Sequence, residues 1–156
     1  MARKDTAGVI APPPLVFGVP LIVGLILHGQ DFGLDVTGDW PGRALGGAIL
    51  AIFGGVLIVL AILKFRHADT PPEPWEPTRA VVTDGVYRLT RNPMYLGMAS
   101  IYLGITVIAG CFILAAFFAP VILTIDRGVI AREEAYLSQK FGEPYRRYLA
   151  ASRRWL

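Results

Sequence analysis

Cysteine and histidine are nearly missing from this chain: one cysteine, Cys111, and two histidines, His28 and His67. A single thiol excludes an intrachain disulfide and a cysteine-cluster metal site. The histidines are far apart with no second ligand group beside either, so no metal is expected. There is no glycine-rich phosphate loop, no serine-nucleophile motif and no internal repeat. Charge is also scarce. Charged residues make up 17% of the chain and apolar ones 54%, which is far from the balance of an ordinary soluble domain. The net charge of +3 is what basic residues flanking membrane helices produce, and it gives no support for nucleic-acid binding.

Long uncharged stretches fill the place of the missing charge. Ala7 to Leu27 covers 21 residues, Ala44 to Leu63 covers 20, and Tyr95 to Ile125 covers 31. About 20 apolar residues cross a bilayer core of about 30 Å, so the first two stretches read as spans of an integral membrane protein. The first also resembles a signal peptide. However, it carries Pro12, Pro13, Pro14 and Pro20, and "HGQDFG" follows in place of a small-x-small cleavage site, so it is expected to stay as an anchor. The third stretch would reach about 46 Å as one helix, too long for a single upright crossing. As two crossings it gives only about 15 residues each, which is short for the core.

Basic residues decide between these readings. Arg3 and Lys4 precede the first span, and Arg43 alone, with Asp31, Asp35 and Asp39, lies between the first two. Five basic residues lie from Lys64 to Arg91, and seven follow Ile125. By the positive-inside tendency the N-terminus, the Lys64–Arg91 connector and the tail all face the cytoplasm. The third stretch is then a helical hairpin turning near Ala109-Gly110. The expected fold is all-α: a polytopic membrane bundle of about four spans, with a cytoplasmic amphipathic helical tail.

Four prolines in "HADTPPEPWEPT" forbid a regular helix at the start of the connector. Thr83-Asp84-Gly85 reads as a turn, and Pro93 suits the first turn of the third helix, with Asn92 as N-cap. In the tail, Ile130, Glu134, Leu137 and Phe141 share one helical face. Gly142 ends that helix, and Pro144 starts a second one on which Tyr145 and Tyr148 share a face. The tail is thus two amphipathic pieces bent at "FGEP".

Glu134 lies on an apolar stripe, where an unpaired carboxylate costs several kcal/mol or becomes protonated. It therefore needs a partner from the connector or a ligand amine. Taken singly, Arg91 reads as a snorkelling arginine and Tyr95 as an interfacial anchor. A hairpin changes that reading by bringing Arg91, Tyr95, Glu133, Glu134, Tyr145 and Tyr148 to one mouth. Such a mouth suits a ligand with a carboxylate and an amine, and the third helix adds free backbone N–H groups for an anion.

"TDGVYRLTRNPMYLG", about thirty apolar residues and "IAREEAYLSQKFGEPYRRYLAASRRW" closely resemble the C-terminal core of isoprenylcysteine carboxyl methyltransferases and their bacterial relatives. Phospholipid methyltransferases share this core in looser form. Arg91, Pro93, Tyr95 and Gly97 match the first half of the pattern. Glu133, Glu134, Leu137, Phe141, Gly142, Tyr145, Tyr148, Arg154 and Trp155 match the second. The likeness covers residues 79–156, which marks a catalytic core behind two anchoring spans and a connector at 1–78, all in one domain. Ser152 stands where relatives often carry an apolar residue.

The resemblance implies S-adenosylmethionine as cofactor and methyl transfer to a lipophilic small molecule or lipid, of carboxylate or thiol type, at the cytoplasmic face of a bacterial-type plasma membrane. Tyr87, Arg91, Pro93, Tyr95, Gly97, Glu133, Glu134 and Tyr145 are the expected cofactor-binding residues. Glu134, Tyr148 and Arg154 are the expected catalytic ones. Arg91 and the helix start would take the cofactor carboxylate, and Glu133 or Glu134 its amine. Three rivals stand beside this reading: N-methylation of a phospholipid headgroup, an NADPH-dependent membrane reductase with a related core, and a non-catalytic membrane partner. The intact Glu-Glu pair argues against the reductase.

Overall fold

The computed structural model describes residues 5–30 and 41–156. Arg3, Lys4, Asp31, Asp35 and Asp39, used above to orient the chain, lie outside the described residues. No strand occurs among the described residues. The helices are α1 (Pro13–His28), α2 (Arg43–His67), α3 (Pro93–Ala109), α4 (Phe112–Ile125), α5 (Ala131–Phe141) and α6 (Glu143–Ala151). A π segment, Asp126–Ile130, joins α4 to α5 without a break, and a 3₁₀ turn, Gly85–Arg88, interrupts the connector.

Among the described residues two helices are long and apolar enough to cross a membrane: α2, and the continuous helix Phe112–Phe141. The other two apolar helices are shorter, α1 with 16 residues and α3 with 17. The first uncharged stretch enters its helix late because Gly8 has φ +61° and prolines 12–14 have no N–H to give to a preceding turn. At its other end α2 runs past Leu63 to His67. Its last turn holds Lys64, Arg66 and His67, cations that complement the helix dipole.

Glycine sets the main helix pairing. Gly54 of α2 lies against Gly97 of α3, and two turns away Gly47 lies against Gly104. A Cβ on Gly54 would come within 2.4 Å of the Gly97 carbonyl oxygen, so the two backbones touch as in close-packed membrane helix pairs. Across the molecule Gly24 of α1 accommodates Leu114 of α4.

The third stretch doubles back. Gly110, with φ +65°, turns the chain between α3 and α4. Cys111 is buried at this tip, a small apolar filler. Tyr102 of α3 is fully buried, its hydroxyl donating to the Leu114 carbonyl of α4 at 3.2 Å. The ends of the hairpin, Arg91 and the start of α5, therefore lie together. Phe112–Phe141 reaches about 45 Å at 1.5 Å per residue, so the charged length of α5 extends beyond an apolar core of about 30 Å.

Two segments then close on α5. On its outer side, residues 5–10 form a strap. Ile10 N–H donates to Gly128 O (3.3 Å), Arg132 to Gly8 O (2.8 Å), and Lys140 and Tyr136 to the Asp5 carboxylate (2.6 and 3.0 Å). On its inner side, Gly142 bends the chain at φ +63° and α6 folds back against the connector.

Candidate functional site

The site is built where the connector, the start of α3, α5 and the tail meet. Pro93 occupies the first turn of α3, as expected, and Asn92 stands at the N-cap position. Its side chain does not cap the helix. The Asn92 amide donates to the carbonyl of Arg154 at 2.8 Å, and the Thr90 hydroxyl donates to the same oxygen at 3.1 Å. The Arg91 N–H donates to the Arg153 carbonyl at 2.9 Å. Three consecutive connector residues thus pin the last residues of the tail.

The Arg91 guanidinium continues this linkage. It donates to Glu134 Oε1 at 3.2 Å, to the Leu149 carbonyl at 3.0 Å and to the Ser152 carbonyl. Glu134 also pairs with Arg154, which reaches Asp126 of the π segment at 3.1 Å. Trp155 Nε1 donates to Asp126 Oδ1 at 3.1 Å. The carboxylate placed by sequence on an apolar stripe therefore has its connector partner, Arg91, and a second cation besides. Ser152 is a junction, its carbonyl accepting from Arg91 and its hydroxyl donating to the Tyr148 carbonyl.

Beside this network lies a cavity of about 80 Å³. Tyr87, Arg91, Pro93, Tyr95, Glu133, Glu134, Tyr145 and Tyr148 all line it, with Phe65, Asn92, Met94 and Leu137. The six residues expected to converge on one mouth do so. Of the remaining expected site residues, Gly97 packs against Gly54 and Ile58 of α2, and Arg154 does not line the cavity but pairs with Glu134 and Asp126. Asp126 was not anticipated, although a lone carboxylate closing a 31-residue uncharged run is a signal that it needs a partner.

The cavity divides its polar groups into used and unused. Tyr95 OH donates to Glu133 Oε1 at 2.6 Å, and Tyr148 OH donates to the Tyr87 carbonyl at 2.7 Å. Arg91 and Glu134 are consumed by each other and by the tail. Among the described residues no cation pairs with Glu133. The Tyr87 hydroxyl is buried with no hydrogen-bond partner, and its ring lies 5.5 Å from that of Phe65. Tyr145 and Tyr148 face each other at 6.0 Å.

Ionisation follows from this placement. Burial raises Glu133 from the usual 4.5 to about 7, the Tyr95 hydrogen bond opposing and the Glu134 charge adding to the rise. Burial likewise pushes the phenols of Tyr87 and Tyr145 well above their ordinary range, and that of Tyr148 to about 12. Near neutral pH the phenols stay protonated and uncharged, whereas Glu133 can change charge.

Residues 43–144 match the family described as phospholipid methyltransferase. The chain belongs to that family. Membership points to a membrane methyltransferase, in keeping with the apolar helices of spanning length. Among individual family relatives, the chain is 37% identical over 68 residues to the protein-S-isoprenylcysteine O-methyltransferase of Schizosaccharomyces pombe, covering 44% of this chain and 29% of that one. It is 33% identical over 104 residues to protein-S-isoprenylcysteine O-methyltransferase A of Arabidopsis thaliana, covering 65% and 53%. It is 44% identical over 63 residues to an uncharacterized protein of Haemophilus influenzae, covering 40% of this chain and all of that one. The chain thus spans about a third and about half of the length of the two methyltransferases it resembles. No solved structure matches.

Proposed function

We propose that the chain is an S-adenosylmethionine-dependent methyltransferase acting on a lipophilic acceptor of carboxylate or thiol type. In this reading the four apolar helices all cross the membrane, both ends face the cytoplasm, and the cavity opens at the cytoplasmic face of a bacterial-type plasma membrane. The observation that carries the reading is that Glu133, which no cation among the described residues neutralises, and the unpartnered Tyr87 hydroxyl line one aromatic-walled cavity.

The residues present fit the cofactor. It carries an ammonium and a sulfonium, and the cavity offers a carboxylate that no described cation neutralises, a phenol and aromatic faces, which favour cations. Bound S-adenosylmethionine supplies a methyl group on a positively charged sulfur, transferred in line to a nucleophile. Glu133 holds the ligand amine through its ionised carboxylate. Glu134 is then the structural glutamate, neutralised by Arg91 and Arg154. Tyr87, Tyr145 and Tyr148 shape the wall and exclude water, and the helix start at Pro93 offers backbone N–H groups to an anion. Arg154, paired with Glu134 and Asp126, would orient an anionic acceptor once the tail opens. Positioning supplies most of the acceleration, about 7–11 kcal/mol in ideal cases. A carboxylate or thiolate acceptor needs no base.

At about 80 Å³ the cavity is smaller than the several hundred Å³ that hold a nucleoside-sized ligand. Admission therefore requires α6 and the segment after it to swing outward, breaking the bonds from Thr90, Arg91 and Asn92. A second reading, N-methylation of a phospholipid headgroup, is favoured by one observation. Glu133 ionises near neutrality, so it can take the proton of an amine acceptor. Lipid extracts of cells with and without the gene separate the two acceptors.

Calorimetric titration of the purified protein in detergent tests the common core. S-adenosylmethionine should bind, NADPH should not, and Glu133→Gln should weaken binding about tenfold or more, as expected for loss of a charge-assisted hydrogen bond. Absence of S-adenosylmethionine binding, or binding of NADPH in its place, would overturn the reading.

A further inference from the structure

At the end of the bundle away from the candidate cavity, α2 begins with Arg43 and the α3–α4 hairpin turns at Gly110. These two residues touch. A Cβ on Gly110 would lie 3.1 Å from Arg43 Cζ, so the guanidinium rests on bare backbone at the turn. Arg43 is half-buried, yet among the described residues no ion pair or hydrogen bond engages its side chain.

The charge also stands at the wrong end of its helix. A helix start carries positive potential and favours an anion, whereas cations belong at the other end, where α2 holds Lys64, Arg66 and His67. A second helix start, that of α4, lies beside the same turn, and no side chain caps either one. The five N–H donors of the guanidinium are thus unneutralised among the described residues. Asp31, Asp35 and Asp39 lie outside those residues.

Arg43 forms the polar edge of a hollow of about 290 Å³. The only other side-chain polar group with an oxygen or nitrogen in its lining is the Thr106 hydroxyl, already given to the Tyr102 carbonyl at 2.9 Å. Thr106 and Cys111 are buried at the back, while Phe112, 57% exposed, and Ala115 border the open side. With 25 residues, α2 is about 37 Å long against an apolar core of about 30 Å, so Arg43 stands at headgroup depth.

A phospholipid matches this sequence of surfaces. Its acyl chain would lie against Phe112 and Ala115, and its phosphate would take the guanidinium fork in two parallel bonds. No carboxylate lines the hollow, so nothing there would receive the ammonium of a zwitterionic head. A head of net negative charge is therefore favoured. Two other hollows lack this complementarity. The one beside Lys64 has its ammonium neutralised by Asp84, and the one between α1 and α4 is lined by no charged residue.

We propose that the hollow at Arg43 binds an anionic phospholipid of the leaflet opposite the candidate cavity, and that the bound phosphate ties the start of α2 to the turn of the hairpin. The lipid takes no part in the transfer chemistry. The site needs α2 to cross the membrane and is independent of the methyltransferase reading.

Native mass spectrometry of the full chain, released from detergent with phosphatidylglycerol, phosphatidylethanolamine or phosphatidylcholine of equal chain length, tests it. Phosphatidylglycerol should be retained about tenfold better than the other two, as expected for a charge-assisted pair. Arg43→Gln should abolish that preference. Ala115→Trp, which fills the hollow and keeps the charge, should weaken it. Arg66→Gln, which removes an exposed cation from the other end of α2, should leave it unchanged. Phosphatidylglycerol should also raise the thermal midpoint of the unaltered protein and not that of Arg43→Gln.

Equal retention of the three lipids, or a preference that survives Arg43→Gln, would overturn the proposal. If Arg43→Gln does not fold, Ala115→Trp decides, and an undiminished preference there overturns it. Displacement of the lipid by inorganic phosphate would show a site for a free anion and remove the lipid assignment. A preference that emerges only when Asp31, Asp35 and Asp39 are all changed to Asn would show that the loop neutralises Arg43, and would overturn the proposal as well.

Discussion

Arg91, the last cation of the connector, and Glu134, on the first turn of α5, meet in an ion pair of 3.2 Å although 43 residues separate them. Both side chains are largely withdrawn from solvent, at 13% and 15% exposure. The pair fixes the two ends of the α3–α4 hairpin to each other, and Arg91 holds the tail as well. Glu134→Ala should therefore cost about 3 kcal/mol, because it leaves two guanidinium groups beside an emptied site. In a double-mutant cycle with Arg91→Ala the losses should fall short of additivity by about 1–3 kcal/mol. Denaturant unfolding of helicity in detergent checks both. Arg91→Lys should not restore stability, since an ammonium cannot reproduce the fork that serves a carboxylate and two carbonyls together.

Glu133 sets a pH dependence of the opposite kind from a salt-bridged acid. Its folded value of about 7 lies above the usual 4.5, so the folded chain keeps a proton that the unfolded chain releases. Its contribution favours folding below about pH 4.5 and is lost as pH rises to about 7. Ligand affinity runs the other way, since a cation binds the ionised form. The affinity for S-adenosylmethionine should fall roughly eightfold between pH 7.5 and pH 6, following the ionised fraction, and should become flat with pH in Glu133→Gln. Calorimetry across that range measures it. A steep dependence that persists in Glu133→Gln would assign the titration to another group.

The apolar runs and their caps were legible in the sequence because they are local. Pro93 begins α3, Gly110 turns the hairpin and Gly142 bends the tail at the positions where composition places them. The convergence of Tyr95, Glu133, Glu134, Tyr145 and Tyr148 followed from charge distribution, once the third stretch was a hairpin. Pairwise partners were less legible. Nothing local shows that Asn92 gives its amide to Arg154 rather than to its own helix, or that Asp126 holds Arg154 and Trp155. Such choices are made by groups that meet only after the chain has folded. The roles of Gly54 and Gly97 were also hidden, because a glycine within an apolar run signals neither its partner nor how closely it approaches.

Those glycines give a sharp test of the α2–α3 pairing. A Cβ on Gly97 would lie 2.6 Å from the Gly54 carbonyl oxygen, whereas one on Gly55 meets nothing within 4 Å. Gly97→Ala and Gly54→Ala should each destabilise the protein by about 1–3 kcal/mol as the helices are forced apart, and Gly55→Ala should be neutral or stabilising by up to about 1 kcal/mol, the helix-propensity gain of alanine over glycine. Since α2 ends and α3 begins at the cavity, the first two should also weaken ligand binding. Thermal unfolding of the three variants in one detergent makes the comparison.

Asp126 decides how firmly the tail closes. It accepts from the Arg154 guanidinium at 3.1 Å and from the Trp155 indole at 3.1 Å, and its position in the π segment aims it at the tail. These groups remain partly exposed, at 34% for Arg154 and 28% for Asp126, so solvent weakens the ion pair and the indole bond makes up part of the hold. Asp126→Ala should leave the helices intact and free the last residues, because Thr90, Arg91 and Asn92 hold their carbonyls less well once the terminal anchor is gone. Amide exchange of residues 149–156 should quicken more than tenfold while that of α3 stays unchanged. A freer tail admits ligand faster and holds it less tightly, so both on- and off-rates for S-adenosylmethionine should rise in stopped-flow measurements. If only the off-rate rises, the tail grips the ligand after entry and does not limit its admission.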